Sequence, residues 1–158
     1  MVAIAVIGRA ECSPAEAAMA EEVGGLLAAR SVVVVCGGLS GVMEAACRGA
    51  ASRGGVTVGI LPGNDRRSAN PWVSVPIATG VGQARNIAVV RSAQAVIAIG
   101  GAYGTLSEIA FALDADIPVV GVNTWRLAEE RTASNLVREV STPLEAVELA
   151  LKLANEKE

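Results

Sequence analysis

Short apolar runs recur along the chain, and Ala-rich segments with helical spacing of their apolar positions separate them. Most of the runs are apolar at every position rather than at alternate positions, which is typical of strands covered on both faces. The runs predict seven strands, the last of them the weakest, at residues 3–7, 32–36, 56–61, 72–77, 95–99, 119–122 and 136–140.

The segments between the runs predict five helices, at residues 14–30, 41–53, 81–92, 106–115 and 143–155. The first and the last begin with capping boxes, at residues 13–16 and 142–145, and each has Pro at the first helical position. Alternation of strand and helix is the pattern of an α/β protein. We therefore expect a single doubly wound, Rossmann-like domain over residues 1–158, with about seven mostly parallel strands and helices on both faces.

In such a sheet, ligands bind beyond the carboxyl ends of the strands, at the position where the strand order reverses. With the common order 3-2-1-4-5, that position lies between the first and fourth strands. Four strand-end loops that are rich in Gly or carry Arg then converge on one crevice, at residues 8–13, 37–41, 79–85 and 100–105. A charged loop follows at 123–133, and its segment 125–131 either covers this crevice or reaches it from a partner subunit.

Charge and composition narrow the class of ligand. The net charge is −3 and the sequence pI is about 5.1, which argues against nucleic acid as a partner. Aromatic residues make up 3% of the chain, too few to provide stacking platforms for single-stranded bases. The acidic net charge is compatible with a phosphorylated small molecule as ligand, because backbone dipoles and one or two Arg can hold it. No apolar stretch approaches the roughly 20 residues of a membrane span.

The chain contains no His, which removes the commonest general base and the commonest neutral metal ligand. We predict no metal site. Three scattered cysteines without a C-x-x-C spacing suit a reducing compartment, so a cytoplasmic location is expected. Cys36 and Cys47 are interpreted as small buried residues, whereas Cys12 lies in a loop and is more reachable.

The segment 100–108 is the strongest chemical signal, since glycines follow a buried strand and open a helix. Glycines let backbone N–H groups approach an anion, and the helix N-terminus is partly positive. Two interpretations of Glu108 remain open at this point. It is either a chemical group facing the ligand or the second half of a capping box that starts at Thr105. Tyr103 either lines the flat face of a ligand or packs within the loop.

Arg85 lies in the first turns of a predicted helix, where it opposes the helix dipole. The unfavourable interaction with the dipole suggests that a nearby anion compensates for it. That anion is either a ligand phosphate or the carboxylate of Glu108 or Glu44. Asn86 follows it and either caps the helix or contacts polar ligand atoms. The predicted ligand- and phosphate-binding residues are Gly8, Ser13, Gly38, Ser40, Gly41, Arg85, Asn86, Gly101, Tyr103, Gly104 and Thr105.

The chain resembles the Lonely Guy (LOG)-like, or lysine decarboxylase-like, Rossmann superfamily. The LOG signature P-G-G-x-G-T-x-x-E is similar to residues 100–108, and its partner motif M-x-x-R-K is similar to residues 82–86. LOG enzymes hydrolyse cytokinin riboside 5′-monophosphates to the free base and ribose 5-phosphate. The resemblance implies that Glu108 and Arg85 are catalytic if this chain is a hydrolase.

Several positions depart from the LOG signature. Gly100 replaces its Pro and Ala102 its second Gly, while Gly82 and Asn86 replace the Met and Lys of the partner motif, and Glu44 stands where Gly is usual. Residues 37–46, 63–65, 69–71 and 80–86 are more similar to the branch that contains the molybdenum-cofactor carrier proteins.

Two functions therefore remain open. The first is a carrier that binds a phosphorylated heterocycle, with the molybdenum cofactor (molybdopterin) as its bound ligand. The second is a LOG-type phosphoribohydrolase of nucleoside 5′-monophosphates. Neither requires a further cofactor, and the resemblance implies a homodimer or homotetramer.

Overall fold

The computed structural model describes residues 1–127 and 136–156. Within them, one sheet has the strand order β4-β3-β2-β1-β5-β6-β7, and every neighbouring pair is parallel. The strands are β1 (Ala3–Gly8), β2 (Val33–Cys36), β3 (Thr57–Leu61), β4 (Val75–Ala78), β5 (Ala95–Ile99), β6 (Val119–Val122) and β7 (Val137–Val140). The predicted α/β fold is confirmed.

Five α-helices connect the strands: α1 (Pro14–Ala28), α2 (Val42–Ala51), α3 (Arg85–Arg91), α4 (Tyr103–Asp114) and α5 (Pro143–Asn155). Both predicted capping boxes are confirmed. The Ser13 hydroxyl accepts a hydrogen bond from the Glu16 N–H at 3.2 Å, and the Thr142 hydroxyl does the same for Glu145. Each Glu carboxylate in turn accepts from the backbone N–H of its cap residue.

Successive residues of the central strands pack on opposite faces of the sheet. In β1, Ile4 and Val6 pack in the cluster formed with α1, α2 and α5, whereas Ala5 and Ile7 pack in the cluster formed with α3 and α4. All four side chains are at most 2% exposed. Burial on both faces is the reason why this run is apolar throughout.

The predicted place of the fourth strand in the order of the sheet, next to the first strand, is wrong. β4 lies at the outer edge of the sheet beside β3, and the strand order reverses between β1 and β5. The predicted helix 81–92 is divided into a 3₁₀ turn at Gly82–Ala84 and then α3. Because α3 packs against both β3 and α4, the chain returns from the edge towards the reversal point.

The start of the fourth helix also differs from the prediction. α4 begins at Tyr103 instead of residue 106, and Ala102 is its N-cap residue. The Thr105 hydroxyl lies in the first turn and accepts a hydrogen bond from the Ala102 N–H at 3.4 Å. Glu108 therefore lies in the second turn, and the interpretation of Glu108 as a helix cap is wrong.

Two further expectations concern the charged loop and membrane-spanning segments. Residues 128–133 of the charged loop at 123–133 lie outside the described residues. Within the described part of the chain, no helix is both long enough and apolar enough to cross a bilayer.

Candidate functional site

A cleft of about 230 Å³ lies at the carboxyl ends of β1, β2 and β5, beside the reversal of the strand order. α3 and α4 provide its other walls. The cleft brings together six of the residues singled out in the sequence, namely Gly8, Arg85, Asn86, Gly104, Thr105 and Glu108. Three different strand ends and two helices thus supply one site.

Arg85 is the central cation of the cleft. Its side chain comes from the first residue of α3, and the residue is only 7% exposed. Two of its nitrogens, Nε and Nη1, are buried without a hydrogen-bond partner in the described structure. Burial lowers the pKa of Arg85, although the charge of Glu108 opposes this effect. An unsatisfied buried guanidinium is costly for the folded state, so it indicates a place for an anion.

Glu108 lies on the inner face of α4, opposite Arg85 in the same cleft, and is also 7% exposed. Burial raises its pKa to about 7, and the charge of Arg85 offsets only part of this effect. Among residues 1–127 and 136–156, no ion pair shorter than 4.0 Å joins Arg85 to Glu108 or Glu44. In the described structure no carboxylate therefore neutralises the guanidinium at close range, and the carboxyl group of Glu108 can hold a proton near neutral pH.

Asn86 connects the two helices that carry these groups. It is 4% exposed, and its side-chain amide donates a hydrogen bond to the Ser107 hydroxyl oxygen at 3.3 Å. Ser107 in turn donates to the Gly104 carbonyl at 2.7 Å, within the first turns of α4. This chain of hydrogen bonds holds the N-terminus of α3 against the N-terminus of α4.

The N-terminus of α4 provides the other electropositive wall. First-turn N–H groups of an α-helix have no partners within the helix, and Gly104 and Thr105 both line the cleft. Gly100 and Gly101 have φ angles of +56° and +134°, which L-residues with side chains rarely adopt. These two glycines allow the chain to turn sharply from β5 into the helix.

Together these observations describe a cleft large enough for a phosphate group, with a buried cation and a helix N-terminus, in an all-parallel α/β fold. A model of the SLOG cluster4 family matches residues 1–152 of the chain. The chain belongs to this family.

The chain is also similar to other proteins and to solved structures. The SLOG cluster4 protein is 46% identical to an uncharacterized protein of Archaeoglobus fulgidus over 113 residues, which cover 72% of this chain and 74% of that one. Its fold is similar to the molybdenum cofactor binding protein of Rippkaea orientalis, with a TM-score of 0.88, 33% identity and 96% of both chains covered. It is similar also to the molybdenum cofactor carrier protein of Chlamydomonas reinhardtii, with a TM-score of 0.83, 31% identity and 98% of both chains covered.

Other predicted residues of this SLOG cluster4 protein lie around the cleft but do not line it. Ser13 is the N-cap of α1. Ser40 donates a hydrogen bond to the Ala10 carbonyl at 3.1 Å, and Gly41, with a φ of +68°, packs against the same loop. Gly38 packs against β3 in the turn after β2. These residues shape the loops behind the cleft.

Two further predicted residues, Gly101 and Tyr103, flank the cleft at the start of α4. Gly101 lines a neighbouring cavity and Tyr103 projects outwards with 81% of its surface exposed.

Six further residues line the cleft that the sequence did not single out, namely Arg9, Ala10, Leu39, Met43, Gln83 and Ala102. All except Met43 lie in the four strand-end loops that the sequence predicted to converge on one crevice. Arg9 is the most consequential of them. Its guanidinium donates to the Gly101 carbonyl at 3.3 Å and lies 3.4 Å from the Glu16 carboxylate. Its position directly after the first strand was a signal, because that strand lies at the reversal point.

The cysteines of this SLOG cluster4 protein behave as predicted. Cys36 and Cys47 are buried and their sulfur atoms are 3.4 Å apart, whereas Cys12 is half-buried. The hydrogen bond with Cys47 and burial raise the pKa of Cys36 well above that of an ordinary thiol. In the described residues, no group of three or more Cys, Asp or Glu side chains is arranged to hold a metal ion.

Proposed function

We propose that this protein binds a phosphorylated heterocyclic small molecule and holds it without turning it over. The molybdenum cofactor (molybdopterin) is the leading ligand. The observation that carries this proposal is the buried guanidinium of Arg85, with two nitrogens that have no partner in the described structure. The relatives described as a molybdenum cofactor binding protein and a molybdenum cofactor carrier protein support the choice of ligand.

The residues present suit the phosphate end of molybdopterin. Arg85 lines the cleft and supplies a positive charge with unsatisfied N–H groups, and the α4 N-terminus presents first-turn N–H groups beside Gly104 and Thr105. Glu108 is adjacent, and its raised pKa lets it be neutral when a dianion enters. The cleft therefore balances the charge of a phosphate ester without a metal ion.

Binding of molybdopterin, measured by titration under anaerobic conditions, tests the proposal. The critical variant is Arg85→Met, and Arg91→Met is its matched control, since Arg91 is an exposed residue at the other end of the same helix. We expect wild type and the control to bind alike and Arg85→Met to bind much more weakly. Equal binding by all three proteins would overturn the proposal.

Glu108 supports a second candidate function, hydrolysis of the N-glycosidic bond of a nucleoside 5′-monophosphate. A carboxyl group with a pKa of about 7 is present in both protonation states at neutral pH, as acid–base catalysis requires. In that function Arg85 binds the ribose phosphate, and Glu108 stabilises the positive charge that develops on the sugar and assists the attack of water.

Release of free base from a panel of nucleoside 5′-monophosphates separates the two functions. Turnover by wild type that is lost in Glu108→Gln supports the hydrolase. Retention of an intact ligand, seen by native mass spectrometry without any turnover, supports the carrier. Turnover that survives in Glu108→Gln would exclude the catalytic role of Glu108.

We also propose that the protein assembles into a homodimer or homotetramer in the cytoplasm. Two apolar side chains near the start of α3 support an interface there, since Val81 is 56% exposed and Ile87 is 38% exposed. Light scattering coupled to size-exclusion chromatography measures the assembly. A monomer at all concentrations would contradict it.

A further inference from the structure

A second cavity, of about 440 Å³, lies beside the phosphate cleft at the carboxyl ends of β5 and β6. Gly101, Thr124 and Trp125 line it, and Arg9 lines both the cavity and the cleft. Because Arg9 lines both spaces, they are neighbours, and a ligand longer than a phosphate group would have to pass the Arg9 side chain to occupy both.

An aromatic pair lies beside the second cavity, close to the edge of the cleft. The chain has only four aromatic residues, and two of them, Tyr103 and Trp125, have ring centroids 6.0 Å apart with planes tilted by 31°. Tyr103 stands between Ala102 and Gly104, which line the cleft, while Trp125 lines the second cavity. With 81% of its surface exposed, Tyr103 offers an uncovered ring surface next to residues that line the cleft.

The backbone holds this pair in place. The indole N–H of Trp125 donates to the Ala102 carbonyl at 3.2 Å, and the Thr124 hydroxyl donates to the Gly100 carbonyl. These two bonds join the loop after β6 to the loop after β5. Little conformational freedom at Trp125 is then lost when a ring stacks there, which favours binding.

We infer that Tyr103 and Trp125 form a stacking subsite for a flat bicyclic heteroaromatic ring, of pterin or purine type, joined to the phosphate that Arg85 binds. This inference rests on the proposed function and specifies its ligand. Stacking on an aromatic side chain contributes substantially for any ring with a π-face, so the subsite selects flat rings over saturated sugars. Tyr103 is the principal specificity residue, because its ring is the more exposed of the two.

Intrinsic fluorescence of Trp125 reports on this subsite directly. Trp72 lies outside both spaces, so Trp72→Phe removes the other indole and leaves Trp125 as the single tryptophan. The probes are guanosine 5′-monophosphate, which has phosphate and ring, and ribose 5-phosphate, which has phosphate alone. We expect guanosine 5′-monophosphate to quench the fluorescence saturably and ribose 5-phosphate to bind with little quenching.

Variants of Tyr103 test the role of its ring. Tyr103→Ala should weaken binding of guanosine 5′-monophosphate by roughly tenfold and leave binding of ribose 5-phosphate unchanged, because only the first stacks. Tyr103→Phe, which keeps the ring, should behave as wild type. Equal affinities of Tyr103→Ala and wild type for guanosine 5′-monophosphate would overturn the inference, as would a change in oligomeric mass that marks Tyr103 as an assembly contact.

Failure of the inference and failure of the proposed function give different results. If both probes bind in an Arg85-dependent way but Tyr103→Ala has no effect, the phosphate site stands and the stacking subsite does not exist. If neither probe nor molybdopterin binds the wild-type protein, or if Arg85→Met binds them with the same affinity as wild type, both proposals fail together.

Discussion

The guanidinium of Arg85 lies against the backbone of Gly37, in space that any larger residue would fill. A Cβ at position 37 would overlap Nη1 and Nη2 of Arg85 and would also come within 2.6 Å of the Met43 sulfur. The absence of a side chain at the end of β2 thus creates the place that the cation of α3 occupies.

This relationship makes Gly37→Ala a selective test of the position of Arg85. Gly37 has no left-handed φ, so Ala suits its backbone, and the flexible guanidinium must move instead. We expect phosphate-ester affinity to fall by roughly tenfold, equivalent to one charge-assisted hydrogen bond. Isothermal titration with a nucleoside monophosphate measures it.

Gly63→Ala is the matched control, since a Cβ there meets nothing within 4 Å and Gly63 does not line the cleft. It should bind as wild type. Unchanged affinity in Gly37→Ala would show that the observed position of Arg85 is not needed for the anion.

Replacement of Arg85 should affect affinity and stability in opposite directions. Arg85→Met removes a buried charge with unsatisfied nitrogens, so we expect the free energy of unfolding without ligand to rise by about 1 kcal/mol. The same change should weaken anion binding by roughly 10- to 100-fold. Thermal unfolding with and without a nucleoside monophosphate measures both effects. A destabilised variant with normal affinity would identify Arg85 as a structural residue.

Glu108 should make stability depend on pH in an unusual direction. Its pKa is about 7 in the folded protein, against an ordinary value of 4.5. Between these pH values the folded state binds a proton that the unfolded state does not, so stability falls as pH rises from 4.5 to 7 and is constant above. The total loss is roughly 3 kcal/mol at most.

Glu108→Gln isolates this effect, because all other carboxyl groups remain. The difference in unfolding free energy between wild type and Glu108→Gln, from urea titrations at pH 5 and pH 8, should change by up to that amount. A constant difference would show that Glu108 titrates near its ordinary pKa. A carboxyl resonance with a midpoint near pH 7 in an NMR titration would confirm the assignment.

Ser13 separates helix capping from ligand binding. Its hydroxyl and the Glu16 carboxylate satisfy both partners of a capping box, so Ser13→Ala should cost about 1 kcal/mol of stability and leave ligand affinity unchanged. Thr142→Ala removes the same motif from α5 and is the matched control. A loss of ligand affinity in Ser13→Ala but not in Thr142→Ala would show that Ser13 contributes to ligand binding, as the sequence predicted.

The sequence was informative where local pattern and burial agree. The five inner strands were predictable because parallel strands buried on both faces need apolar residues at nearly every position, whereas the edge strands β4 and β7 are partly exposed and gave weaker patterns. The capping boxes at Ser13 and Thr142 were predictable because their hydrogen bonds join residues three positions apart. The start of α4 was placed too late, since Tyr103 and Gly104 are weak helix-start signals in isolation.

What the sequence by itself determined is the class of fold, the glycine-rich strand ends and the residue types available for chemistry. Tertiary structure alone decided that β4 pairs at the edge beside β3, that α3 returns to the reversal point, and that Arg85 forms no ion pair with Glu108 in the described part of the cleft they share. The reason is physical. Strand order and the burial of a charge depend on contacts between residues far apart in the chain, and the spacing of residues along the sequence does not contain them.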